Sequence, residues 1–173
     1  MSDPMPKVRR RRPCSVLIAD DHDHSRSAGR LVLEDCGFSV IEAWSGFDAL
    51  VLAQANRPRV LLLDIVLPEI DGLQLTRMLR ADPTLRHSAI IAVTAFAGPD
   101  YRDAAFAAGC DEFVNKPVAA LHLAELVRGL ARRPIPPGSG LDRLGADGPI
   151  PGDRVVPTSL TRQLRKEPPS TSS

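Results

Sequence analysis

Four short apolar runs in this chain each stop on a residue that can do chemistry. Ser15–Ala19 stops at Asp20-Asp21, Val60–Leu63 at Asp64, residues 89–93 at Thr94, and residues 112–114 at Asn115-Lys116. A carboxylate can attack phosphorus to give an acyl phosphate. Such a transfer needs little covalent help beyond in-line placement and neutralisation of charge. Carboxylates crowded into one pocket repel, and each is pushed towards its protonated form unless a cation sits among them. Lys116 supplies one positive charge, and a divalent ion would supply two more. All-oxygen ligation favours Mg2+, which takes one or two carboxylates, keeps waters and bridges to phosphate oxygens. The hydroxyl of Thr94 and the ammonium of Lys116 are then the groups expected to bind a phosphoryl group seated on Asp64. The parts of other reactions are missing: there is no glycine-rich phosphate loop, no Ser or Cys nucleophile with a base, and no His cluster.

Each residue also has a plainer reading. Asp20-Asp21 would serve as an acid pair at a helix start, favoured by the helix dipole. Thr94 would cap a strand end, and Lys116 would be a surface charge. The plain readings fail together, because what matters is where the strands put these residues. Val60–Leu63 is too short for a lone helix and reads as a strand buried on both faces. After Asp64 and Pro68, Asp71-Gly72-Leu73-Gln74 reads as a helix start capped by Asp71, for a helix over 72–81. The other strands are Ser15–Ala19, 38–43, 89–93 and 112–114. Between them lie helices over 24–36, with Leu31 and Val32 apolar and Gly37 beyond its end, and 45–56, opened by Ser45. Pro99 opens and Gly109 closes a fourth. The last spans 118–132, with Leu121, Leu123, Leu126, Val127 and Leu130 apolar. Strict alternation of strand and helix predicts an α/β domain, a parallel sheet covered on both faces by right-handed crossovers. All the strand ends then meet at one edge, where such sheets keep their reactive groups.

The bulk composition suits a soluble globular protein, and its charge is segregated. Residues 1–13 carry five basic groups against one acid, residues 14–133 carry 12 basic and 16 acidic, and residues 134–173 carry five and four. The expected division is a basic disordered arm (1–13), one domain (14–133) and a tail rich in Pro and Gly (134–173) with a marginal short helix over 157–166. Cys14, Cys36 and Cys110 have no metal-like spacing and read as reduced thiols of a cytoplasmic protein. No apolar run approaches a membrane span, and the basic leader lacks the apolar core of a secretory signal. Four arginines without interleaved aromatics are weak support for nucleic acid.

The runs Leu17-Ile18-Ala19-Asp20-Asp21, Leu63-Asp64-Ile65-Val66-Leu67-Pro68-Glu69-Ile70-Asp71-Gly72, Val93-Thr94-Ala95 and Asn115-Lys116-Pro117 resemble the receiver domain of two-component response regulators. The likeness covers residues 15–132. Thr94-Ala95-Phe96-Ala97 and Ala107-Ala108-Gly109-Cys110-Asp111 also resemble receivers of hybrid kinases and single-domain regulators. The resemblance implies a flavodoxin-like (βα)5 doubly wound five-stranded sheet of order 2-1-3-4-5. It implies Asp64 as phosphoacceptor for a histidine kinase or histidine phosphotransfer protein. It implies Asp21, Asp64 and the Val66 backbone carbonyl as Mg2+ ligands, with Asp20 holding a metal-bound water. Lys116 would be the phosphate-binding lysine, joined to Pro117 by a cis peptide. Thr94 and Phe113 would be the switch pair, acting on the face of the fourth helix, fifth strand and fifth helix. That face would meet a downstream partner or a second copy of the chain.

Some residues depart from the pattern. Phe113 has no hydroxyl, so it would switch by packing alone. Val66 and Phe96, two residues after Asp64 and Thr94, are apolar where the family's hydrolytic water passes, so slow self-dephosphorylation is expected. His22 and His24 are expected to face solvent rather than bind metal. Three other readings compete. A phosphorylation-independent interaction module is disfavoured by the complete set Asp20, Asp21, Asp64 and Lys116. An aspartate-nucleophile phosphatase would resemble Asp-x-Asp, but Val66 occupies its second acid position. Nucleic-acid binding would rest on the arginine arm, and deleting residues 1–13 would test it.

Overall fold

The structure is a computed structural model that describes residues 14–134. The expected basic arm, the Pro/Gly-rich tail and the short helix over 157–166 lie outside the described residues. The elements alternate as expected: β1 (Ser15–Ala19), α1 (Asp23–Asp35), β2 (Ser39–Ala43), α2 (Gly46–Asn56), β3 (Val60–Leu63), α3 (Gly72–Ala81), β4 (Ala89–Thr94), α4 (Pro99–Ala108), β5 (Glu112–Asn115) and α5 (Ala120–Ala131). The five strands pair only in parallel, in the order β2-β1-β3-β4-β5. The flavodoxin-like doubly wound fold and its strand order are therefore as expected.

The two-residue period of a strand sorts the core into two layers. Leu17, Ala19, Leu61, Leu63, Ile90 and Ala92 face one side of the sheet, where Ala49, Ala53, Leu75, Leu79 and Ala105 of α2 to α4 cover them. Val16, Ile18, Val60, Leu62 and Ile91 face the other, under Leu33 of α1 and Leu123, Val127 and Leu130 of α5. Central strands that are apolar at every position are explained by this double cover.

Local chemistry sets the helix ends. The Ser45 hydroxyl accepts from the Asp48 amide at 3.1 Å, and the Asp71 carboxylate accepts from the Gln74 amide at 2.8 Å. Pro99 sits in the first turn of α4, and Gly109 ends it with φ 108°. The last helix begins two residues later than expected, at Ala120. Val118 packs on the core from the loop, and Ala119 is extended. Two expected apolar positions prove to be solvent-facing: Leu31 is 60% and Leu121 70% exposed. The buried stripe of α5 runs through Leu123, Ala124, Val127 and Leu130, and Leu121 falls off it; α1 buries Leu33 instead of Leu31.

At the end of the sheet where β4 and β5 begin, Arg80 of α3 ties two loops together, the one before β4 and the one before β5. Its Nε donates to the Gly109 carbonyl (2.8 Å), and Nη1 donates to the carbonyls of Arg86 (2.9 Å) and Ser88 (2.7 Å). Its Nη2 pairs with Asp111 Oδ2 (2.8 Å), and that oxygen also accepts from the Ile90 amide at 2.8 Å.

Candidate functional site

The strand ends converge as expected. Asp64 follows the last residue of β3, and its own amide donates to the Ala19 carbonyl at 2.9 Å, which keeps it in the sheet's register. Lys116 follows β5 in the same way, its amide donating to the Thr94 carbonyl at 2.8 Å. From there its Nζ lies 2.6 Å from Asp20 Oδ2 and 2.6 Å from Asp64 Oδ2. One ammonium thus bridges two carboxylates drawn from separate strands. Both acids are buried, Asp20 at 5% and Asp64 at 7% exposure, where an unpaired charge would be costly. Burial pulls the Lys116 ammonium towards deprotonation, but the two carboxylates outweigh it and hold its pKa above the ordinary value. Burial likewise pushes Asp20 up, while hydrogen bonds from Lys116, Ser25 and the His22 amide outweigh it and hold the carboxyl below the ordinary range.

The remaining oxygens are held by the loops. Asp64 Oδ1 accepts from the Val66 amide at 3.0 Å, and Asp20 Oδ1 accepts from the His22 amide at 2.9 Å. Gly72 presses against the back of Asp64: a Cβ added there would lie 2.1 Å from the Asp64 carbonyl oxygen. Thr94 is fully buried, and its Oγ1 accepts from the Phe96 amide at 3.3 Å. Phe113 is buried in the core layer shared with Leu63 and Ala92. Asn115 Nδ2 donates to the Phe96 carbonyl at 3.0 Å, linking the β4 and β5 loops. The Lys116–Pro117 peptide is cis.

Asp21 stands at the mouth, its side chain 39% exposed. His22 has its side chain 74% exposed, as expected for a solvent-facing helix start, yet its Nδ1 lies 2.7 Å from Asp21 Oδ1. Ligand atoms of Asp20, Asp21, His22 and Asp64 all lie within 4.8 Å of one another. Three of the four donors are carboxylates, hard oxygens of the kind Mg2+ takes. A cavity of about 490 Å3 adjoins them, lined by Asp20, Asp64 and Lys116 and by Gly29 and Val32 of α1 and Leu123 of α5.

Two site-building features escaped sequence reasoning. Arg26, a single charge inside a helix pattern, is buried behind the acid pair and donates to the Asp20 carbonyl at 2.8 Å. The Ser45 hydroxyl donates to Glu69 Oε2 at 2.7 Å, joining the start of α2 to the loop after Asp64. Nothing in residue type or spacing announces either contact, because both partners lie in separate elements.

A five-stranded parallel sheet with an aspartate at the central strand end, an acid pair at the end of the neighbouring strand and a bridging lysine defines a class. The chain belongs to the response regulator receiver domain family, whose family model matches residues 16–128. Over 116 residues it is 36% identical to the polar-differentiation response regulator DivK of Brucella anthropi, covering 67% of this chain and 94% of that one. DivK of Brucella ovis is 36% identical over 114 residues, 66% of this chain and 93% of its own. A crystal structure from Chloroflexus aurantiacus J-10-fl, described as a response regulator, superposes with TM-score 0.67 at 33% identity, over 70% of this chain and 99% of that one. The receiver domain of a signal transduction histidine kinase from Syntrophus aciditrophicus superposes with TM-score 0.64 at 27% identity, over 70% and 95%. Among the described residues no helix is long and apolar enough to cross a membrane.

Proposed function

We propose that this protein carries signal as a phosphoryl group on Asp64. The observation that supports this best is the pair of 2.6 Å contacts from Lys116 to Asp20 and Asp64. An Asp64 carboxylate oxygen attacks the phosphorus of a phosphohistidine on a histidine kinase or histidine phosphotransfer protein. The P–N bond breaks as the O–P bond forms, and the imidazole leaves with the electron pair. Lys116 then trades one carboxylate contact for the phosphoryl oxygens, which keeps the added charge neutralised. The Thr94 hydroxyl donates to the same group, and Phe113 repacks behind it. Asp20, Asp21, Asp64 and the Val66 carbonyl would hold Mg2+, which supplies charge neutralisation at the transferring phosphoryl group when bound. Residues 14–133 form the receiver, and output is by docking of a partner, or of a second copy, on the α4–β5–α5 face. The protein is no enzyme beyond Mg2+-dependent phosphorylation of itself from a phosphodonor and slow self-dephosphorylation.

Acetyl phosphate with Mg2+ tests this reading. Intact mass should show one phosphate adduct on the wild type and none on Asp64→Asn. No adduct on a folded, Mg2+-bound wild type would favour a phosphorylation-independent interaction module. An adduct on both proteins would mean that another residue is the acceptor.

A further inference from the structure

Arg26 is the only buried lysine or arginine among the described residues, at 4% exposure. A guanidinium taken out of water is costly unless it is paired. Its partners come from three directions. Nη2 meets Asp23 Oδ1 in a close ion pair, Nε lies 3.3 Å from Glu42 Oε1, and the Trp44 ring lies 4.7 Å from its central carbon. These contacts explain how the charge is tolerated, not why it is there. Nη1 answers that, donating at 2.8 Å to the Asp20 carbonyl. That carbonyl belongs to the peptide joining Asp20 to Asp21.

We propose that Arg26 is a positioning residue for the acid pair. It holds the plane of the Asp20–Asp21 peptide and so sets where both carboxylates stand. The Asp20 amide is anchored in the sheet on the Ala43 carbonyl at 3.2 Å. With its carbonyl held by Arg26, the residue is fixed at both ends. Asp21 has left the sheet and takes its direction from this peptide. The orientation of the guanidinium fits the same role. Although Glu42 is within ion-pair distance, the angle is outside hydrogen-bond geometry, and Nε is a buried nitrogen without a hydrogen bond. The fork is turned to serve Asp20 and Asp23 rather than to satisfy itself. Lysine, a point charge without that planar fork, cannot hold the Asp20 carbonyl and the Asp23 carboxylate in the same geometry.

The proposal rests on the reading above that the acid pair holds Mg2+, and calorimetric titration of the full chain with Mg2+ alone tests it. Outer partners that orient metal ligands typically change metal affinity by about ten- to a hundredfold when removed, and that is the weakening expected for Arg26→Gln. Arg26→Lys should recover part of the loss. Leu130→Ala, a core variant near the far end of α5, should melt earlier yet keep its Mg2+ Kd within about twofold of the wild type. If Arg26→Gln behaves like Leu130→Ala, losing stability without losing affinity, Arg26 is merely structural and the proposal fails. Should Arg26→Gln not fold, Arg26→Lys decides by the same criterion, a wild-type Kd overturning the proposal. A wild type that takes up no Mg2+ overturns the metal-site reading itself, an outcome seen before any variant is compared.

Discussion

Val66 and Phe96, which the receiver pattern places beside the path of the hydrolytic water, are 51% and 46% exposed, and the Phe96 ring packs on Tyr101 with centroids 5.4 Å apart. Neither can hydrogen-bond a water aimed at a phosphoryl group. The phosphorylated protein should therefore hold its label, and a polar group at the lip should shorten its life. One hydrogen bond gained by the attacking water is worth about 1 kcal/mol, or roughly a fivefold faster loss for Val66→Asn or Phe96→Gln. The decay of the phosphate adduct by intact mass reads this directly, and equal decay in all three proteins would remove both residues from the explanation. Cys110 makes a second prediction at this scale. Burial pushes its thiol up, outweighing the Thr76 contact, so less thiolate is present at a given pH than for a free cysteine. Only the thiolate reacts. Alkylation of Cys110 in the folded protein should be slow at neutral pH, and its rate should still be climbing above pH 9. Peptide mapping after timed iodoacetamide treatment checks it; a rate that levels off below pH 9 would contradict it.

Among the elements, Gly72 and Asp64 act as one unit. A methyl group at Gly72 would sit 2.1 Å from the Asp64 carbonyl oxygen and 2.9 Å from Ile65 Cα, both backbone atoms that cannot swing aside. Gly72→Ala must therefore push α3 away from the end of β3. Overpacking of this kind typically costs about 1–3 kcal/mol. Denaturant unfolding should show that loss, and the surviving folded protein should take up phosphate more slowly because Asp64 has moved relative to Lys116. A variant as stable and as reactive as the wild type would show that the loop absorbs the methyl freely. The sequence made the strands, their order of chemistry and the capped starts of α2 and α3 legible, because each depends on neighbours in the chain: Ser45 with Asp48, Asp71 with Gln74. It hid what depends on the third dimension. Leu121 looks like core by type but lies off the stripe of Leu123 and Val127. Arg26 looks like a surface charge because Glu42 and Trp44, which make its burial tolerable, belong to the neighbouring strand β2 and the loop after it.

Across the whole molecule, the two rims of the sheet are built differently. The chemical rim is made of loops whose anchors are carboxylates and one ammonium, Asp20, Asp64 and Lys116. At the opposite rim Arg80 gathers the carbonyls of Gly109, Arg86 and Ser88, and Asp111 holds both Arg80 and the Ile90 amide. None of those contacts involves Asp20, Asp64, Thr94 or Lys116. The domain is therefore built like a fan tied on one side of its handle: the ribs β4 and β5 share a pivot at Arg80 and Asp111, and the charged groups sit at the opposite tips. On the proposed reading, a phosphoryl group on Asp64 would regroup the charges at the open tips, while the tie at the other end keeps the entries to β4 and β5 together.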